Sequence, residues 1–180
     1  MGSGKSAIGR RLAQALDLPF VDADEEIEKA AGKSISEIFA EHGEPHFRDG
    51  ERKVIARLLG SGPQVLATGG GAFMEARTRE NVRNTGVSVW LNADLEVLVR
   101  RVARRDNRPL LMSGNPREKM RELLEQRAPI YALADVTVRS RDVSHDHIIE
   151  EIITVLADGD TLKPGNSSGA GAAEKPTSQE

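Results

Sequence analysis

Met1-Gly2-Ser3-Gly4-Lys5-Ser6 is the back half of a phosphate-binding loop of the form G-x-x-x-x-G-K-[ST], whose first glycine would lie two residues before Met1. In such a loop backbone N–H groups cradle nucleotide phosphates at a helix N-terminus, the lysine reaches the β and γ phosphates, and the next hydroxyl ligates Mg²⁺. Gly2, Ser3, Gly4, Lys5, Ser6 and Ala7 are therefore the candidate nucleotide-binding segment, with Ser6 on the metal. Gly2-x-Gly4 also begins as a dinucleotide-binding G-x-G-x-x-G does, but Ala7 stands where the third glycine belongs.

Asp22 and Asp24 follow Pro19-Phe20-Val21, which reads as a short strand, and the carboxyl end of a strand in an open α/β sheet faces ligand. Two acids two apart on an extended chain point the same way, so one can serve the metal shell while the other accepts a hydroxyl proton. Asp24 before Glu25-Glu26-Ile27 is equally a good helix cap, and the two roles are compatible. Gly69-Gly70-Gly71 follows the apolar run Val65-Leu66-Ala67-Thr68. Three glycines lose much backbone entropy and pack no side chain, which suggests a ligand approaching the backbone closely; a plain turn is the alternative. Arg48, Arg108 and Arg127 each suit a solvated surface taken singly, yet converging on one cleft they would hold an acidic substrate against a phosphate donor. His42 and His46 are separated by a helix stop, and His145 and His147 sit at a helix cap, so neither pair offers convergent metal ligands. Trp90 and Tyr131 are read as core or edge-of-core residues.

Periodicity supplies the elements that would position these groups. Ile8, Leu12 and Leu16 give an amphipathic helix directly after the phosphate loop. Ser34-Ile35-Ser36-Glu37 has the form of a capping box for a helix stopped by Gly43, and Pro45 opens another carrying Phe47, Val54, Ile55 and Leu58 inward. Val65–Thr68 and Val87–Leu91 are unbroken apolar strands, as in parallel sheets buried on both faces. Helices follow from Asp94 and over Pro116–Gln126, Val136 and Val138 mark a last strand, and Ser144 caps a final helix. Residues 104–116 read as a mobile lid, and 158–180, rich in Gly, Ser, Ala and Pro, as a disordered tail behind one domain over 1–157.

The 180 residues carry a net charge of −3, which gives no reason to expect nucleic acid or an anionic membrane as partner. There is no cysteine, hence no disulfide and no thiolate chemistry. No apolar run approaches spanning length and the amino terminus lacks a signal-peptide pattern, so a soluble cytoplasmic protein is expected.

Gly2-Ser3-Gly4-Lys5-Ser6, Phe20-Val21-Asp22-Ala23-Asp24, Gly43-Glu44-Pro45-x-Phe47-Arg48, Gly69-Gly70-Gly71, Arg108-Pro109-Leu110-Leu111 and Arg127-Ala128-Pro129-x-Tyr131 together resemble the shikimate kinases, from Met1 to about Leu156. The resemblance implies a P-loop, nucleoside-monophosphate-kinase-like three-layer α/β sandwich with a parallel sheet in order 2-3-1-4-5. It implies ATP-dependent phosphorylation of the 3-hydroxyl of shikimate by a monomer using Mg²⁺. Carried over by position, Lys5 and Ser6 meet phosphate and Mg²⁺, Asp22 joins the metal's water shell, and Asp24 takes the substrate hydroxyl as candidate base. Arg48 and Arg127 grip the shikimate carboxylate, Gly69, Gly70 and Gly71 line the ring, Arg108 reaches the transferring phosphate, and Arg101 lies beside the adenine. Ala7 departs from a hydroxyl residue common in relatives. The first strand of that sheet is missing from the chain, so the functional start is expected upstream, and the chain as written to be poorly stable and weakly active. A gluconate kinase and a non-catalytic nucleotide-binding remnant are the competing readings.

Overall fold

The computed structural model describes residues 3–103, 115–140 and 144–158. Gly2, Arg108, the lid apart from Asn115 and Pro116, and the tail beyond Asp158 lie outside the described residues. Helix α1 (Lys5–Ala15) is followed by β1 (Phe20–Asp22), α2 (Ala23–Ala31), α3 (Ile35–Leu59) and β2 (Val65–Ala67). A 3₁₀ turn (Ala72–Met74), α4 (Ala76–Thr85), β3 (Val89–Ala93), α5 (Leu95–Ala103), α6 (Pro116–Tyr131), β4 (Val136–Ser140) and α7 (His145–Ala157) complete the order.

Local signals set the helix starts. Ser34 and Glu37 form a reciprocal capping box at α3, Asn115 caps α6 ahead of Pro116, and Ser144 caps α7. Gly43 breaks α3 at φ 77°, ψ 175°, a left-handed conformation that favours glycine, so the element is two helical limbs joined at one residue. The expected stop at Gly43 is thus real, and the second limb follows directly after it.

β1 pairs in parallel with β2, Phe20 opposite Val65 and Asp22 opposite Ala67, and β3 pairs in parallel with β4, Val89 opposite Val136 and Ala93 opposite Ser140. Among the described residues no strand joins the two pairs. In the order 2-3-1-4-5 these are members 2-3 and 4-5, with the place of strand 1 between them. One apolar cluster nevertheless spans both pairs: Ile8 and Leu12 of α1, Val136 and Val138 of β4, and Ile148, Ile149 and Ile152 of α7, with Val65, Val89 and Leu91 packed against them. Burying each such aliphatic side chain contributes roughly 1.5–3 kcal/mol, so α1 and α7 do much of the joining that a hydrogen-bonded ladder would do.

Several expected bounds move. Strands buried on both faces are not what the structure shows: β1 and most of β2 and β3 are half-buried, and β4 alternates, with Val136, Val138 and Ser140 buried and Thr137 and Arg139 exposed. Each pair has an outer edge, and α7 covers one face of β4. The strand expected from Val87 begins at Val89; Ser88 N donates instead to Asp135 Oδ2 at 2.8 Å. Helix α6 runs past Gln126 through Pro129 to Tyr131, placing Arg127 on a helix. α4 was invisible to periodicity because only Thr78 of its ten residues is buried.

Candidate active site

Gly4, at φ 86°, heads α1 with no side-chain cap and no acid in the first turn. The first N–H groups of the helix and its positive end are thereby left to an anion. Lys5 and Ser6 open the helix, and Ser6 Oγ donates to Asp22 Oδ2 at 2.9 Å. The other oxygen, Asp22 Oδ1, accepts from Asp24 N at 3.1 Å and caps α2. The cap is therefore Asp22, not Asp24, and the extended-chain alternation does not describe the pair. A carboxylate on the last extended residue satisfies an orphan helix N–H, so the chain turns into α2 at Ala23. One carboxylate is fixed toward the phosphate loop, and the other rides on the helix toward a different neighbour.

That neighbour is the glycine triplet. A methyl group on Gly69 would stand 3.0 Å from both Asp24 Oδ1 and Glu51 Oε1. On Gly70 it would stand 3.1 Å from Arg127 Nη1 and 3.3 Å from Tyr131 Oη, and on Gly71 it would overlap the Arg48 guanidinium. Tyr131 Oη also donates to the carbonyl of Gly70. The three glycines form a floor on which Asp24, Arg127 and Arg48 converge, one over each residue, which explains three in succession better than a turn does. Phe73 and Trp90 flank Tyr131 at ring-centroid distances of 6.5 and 5.8 Å. Of Trp90 and Tyr131, expected as core or edge-of-core residues, Tyr131 adjoins this floor and Trp90 packs against Tyr131.

Arg48 Nη1 donates to Glu51 Oε2 at 2.6 Å, while Nε and Nη2 both donate to Glu44 Oε1 at 3.2 and 3.1 Å. Burial opposes the Arg48 charge, but the bonds and charges of Glu51 and Glu44 outweigh it and raise its pKa. Burial pushes the Glu51 carboxyl above its usual range against the pull of Arg48, with Asp24 and Glu44 adding to the push. Glu51 was not among the expected site residues. Its signal was available: it interrupts the inward stripe Phe47, Val54, Ile55, Leu58 four residues after Phe47, and a buried acid requires a partner. Arg127 has no ion-pair or hydrogen-bond partner among the described residues.

Beside the glycine-lysine loop, Arg101 Nη1 donates to Ser140 Oγ at 3.1 Å and reaches the Ser3 carbonyl at 3.5 Å. Ala7 lies on α1 and is exposed.

The shikimate kinase family model matches residues 1–157. A shikimate kinase of Bradyrhizobium diazoefficiens is 60% identical over 156 residues, which are 87% of this chain and 75% of that protein. The structure of a shikimate kinase from Acinetobacter baumannii, in complex with shikimate, is 37% identical with a TM-score of 0.83, covering 90% of this chain and 91% of that one. A gluconokinase from Sinorhizobium meliloti is 23% identical with a TM-score of 0.59, covering 88% and 87%, a likeness of fold alone. Family match, identity over most of both chains and a shared fold agree: the chain belongs to the shikimate kinase family of phosphotransferases.

Proposed function

We propose that residues 1–157 form a domain that transfers the γ-phosphoryl group of ATP to the 3-hydroxyl of shikimate across this cleft. The observation that carries the reading is the glycine floor, which gathers an acid and two guanidinia beside, but apart from, the Ser6–Asp22 pair on the phosphate loop. Phosphoryl transfer needs positioning and charge neutralisation more than covalent chemistry by the protein, and this arrangement divides the tasks. Arg48 and Arg127 bind the substrate carboxylate; Gly69, Gly70 and Gly71 let the ring lie against backbone. Asp24 accepts the hydroxyl proton as that oxygen bonds to the γ-phosphorus, and the bond from the γ-phosphorus to the bridging oxygen breaks to release ADP. Gly2 to Ala7 hold the phosphates with Lys5 as the cation, while Arg108 and Arg101 serve the phosphate and the adenine.

The hydroxyl of Ser6 and the carboxylate of Asp22, 2.9 Å apart beside the loop, are hard oxygen donors of the kind Mg²⁺ takes along with nucleotide phosphates and water. These two residues would hold Mg²⁺, which when bound neutralises charge on the phosphates. The partners are ATP and shikimate, with nucleic acid and membrane left out; among the described residues no helix is long and apolar enough to cross a membrane. A monomer in the cytoplasm fits this reading.

Asp24→Asn tests it. The variant keeps the shape and loses the proton acceptor, so shikimate-dependent ADP release should fall about 10²- to 10⁴-fold while nucleotide binding persists. Near-normal turnover of the folded variant would remove Asp24 from the reaction.

A further inference from the structure

Arg48 meets two acids of opposite character. Glu51 is 2% exposed and bonded at 2.6 Å to Nη1, whereas the Glu44 side chain is 63% exposed and uses a single oxygen to bridge Nε and Nη2 at 3.2 and 3.1 Å. The Nε/Nη2 edge is one on which a carboxylate can bind side-on with both oxygens. The geometry points to Glu44 as a displaceable counter-ion of Arg48, exchanged for the carboxylate of the incoming substrate.

The inference rests on reading Arg48 as part of the carboxylate clamp. Glu51 cannot be the acid that leaves: stranding a buried carboxylate without its partner is costly, while Glu44 returns to water. A pair four residues apart whose acid is largely in water contributes little, so its exchange is a small barrier. An incoming carboxylate that sets one oxygen on each N–H makes two straight bonds where Glu44 makes two shared ones, which favours the exchange. Glu44 also follows Gly43, the joint at φ 77° between the two limbs of α3, so it stands where the helix can yield while Glu51 stays fixed about two turns further on. Binding then replaces one negative charge by another at Arg48, and weakly held or monodentate anions meet a guanidinium whose edge is already taken. Glu44 in this way sets both the affinity for the substrate carboxylate and its selectivity over simpler anions.

Glu44→Gln, Glu44→Asp and Arg48→Lys in the full chain test the exchange, with KM for shikimate and for ATP measured at low and at physiological ionic strength. Gln removes the competing charge, and Asp is one methylene too short to span both N–H groups. Either should lower the shikimate KM about two- to fivefold at low ionic strength, with the gain shrinking as salt screens Arg48, chloride becoming a measurable competitor, and the ATP KM unmoved. Arg48→Lys should raise the shikimate KM roughly tenfold or more, because the fork is lost. If Arg48→Lys leaves that KM alone, the clamp reading itself fails. If it raises KM while both Glu44 variants leave it the same or raise it, the clamp stands and the exchange is overturned, Glu44 then being a residue that orients Arg48. Failure of both Glu44 variants to fold would also overturn it, since a replaceable counter-ion cannot be required by the fold.

Discussion

Gly71→Ala separates the demands of the fold from those of the clamp. Gly71 lies at φ −86°, ψ −25°, an ordinary right-handed conformation, so alanine brings no backbone strain. By restricting the unfolded chain it would even add about 0.4–1 kcal/mol of stability. Its methyl group, however, would fall within the space of the Arg48 guanidinium, three of whose atoms lie closer than real contacts permit. The obstacle is the end of a flexible side chain, so Arg48 swings aside rather than the floor breaking. Recovering a normal separation takes a shift of roughly 1 Å or more. That stretches the 2.6 Å bond to Glu51 and leaves a buried acid poorly paired, at a cost of about 1–3 kcal/mol. Net destabilisation should stay below about 2.5 kcal/mol, and the variant should fold. Catalysis suffers more: a group misplaced by about 1 Å loses on the order of 10²-fold, about 2.7 kcal/mol of transition-state stabilisation. The assay is coupled ADP release, with kcat/KM for shikimate compared between Gly71→Ala and Gly70→Ala. The latter methyl group would meet Arg127 Nη1 at 3.1 Å and Tyr131 Oη at 3.3 Å, which a few tenths of an ångström relieve. Activity of Gly71→Ala within about threefold of the parent, or a larger loss in Gly70→Ala, would refute the placement of Arg48 over the floor as the reason for glycine here.

Two further outcomes follow from the same residues. Burial raises the Glu51 pKa above its ordinary 4.5, so its contribution to stability is fully present below that value and is lost as pH rises through the raised one. The stability of the parent relative to Glu51→Gln, measured by denaturant unfolding from acid to neutral pH, should therefore decline as pH rises; a difference that grows with pH would refute the direction. Arg127→Lys keeps the charge and loses the fork, so KM for shikimate should rise roughly tenfold with a smaller change for ATP, and an effect confined to ATP would move Arg127 to the nucleotide side.

Wherever chemistry or capping fixes a residue type, the sequence was readable. Ser34-x-x-Glu37 announced α3, Gly43 announced its break, and Lys5-Ser6 after Gly4 announced a helix with an open N-terminus. The residues that meet at the glycine floor were also legible, because glycine triplets and arginines beside apolar runs have few bland explanations. Their arrangement was not. Residue type alone does not state that Asp22 rather than Asp24 caps α2, since both are good caps; in the structure Asp22 takes both the Asp24 N–H and the Ser6 hydroxyl. Nor does periodicity find α4, whose exposed faces carry no apolar stripe, or extend α6 through Pro129, where local propensity argues for an end. Glu51 was hidden because a stripe is read by its apolar members, so the single acid within it was passed over as noise.

The phosphate loop is fastened to both strand pairs. Ser6 is tied to Asp22 at the carboxyl end of β1, while Ser140 at the carboxyl end of β4 and Arg101 of α5 both reach the Ser3 carbonyl, at 3.4 and 3.5 Å. The loop thus straddles the crevice outside the strand ends, where open α/β sheets bind ligands. Among the described residues no ladder links the pairs, and one apolar cluster that includes α1 and α7 reaches both. Packing of that kind is non-directional and fixes separation less sharply than hydrogen-bond register does. The glycine floor is local only in part: Asp24, Arg48, Glu51 and the three glycines come from α2, α3 and the segment after β2, whereas Arg127 and Tyr131, which meet Gly70, come from α6. The floor is therefore held both by the bond of Arg48 to Glu51 within α3 and by the bond of Tyr131 to the Gly70 carbonyl, which ties α6 to it.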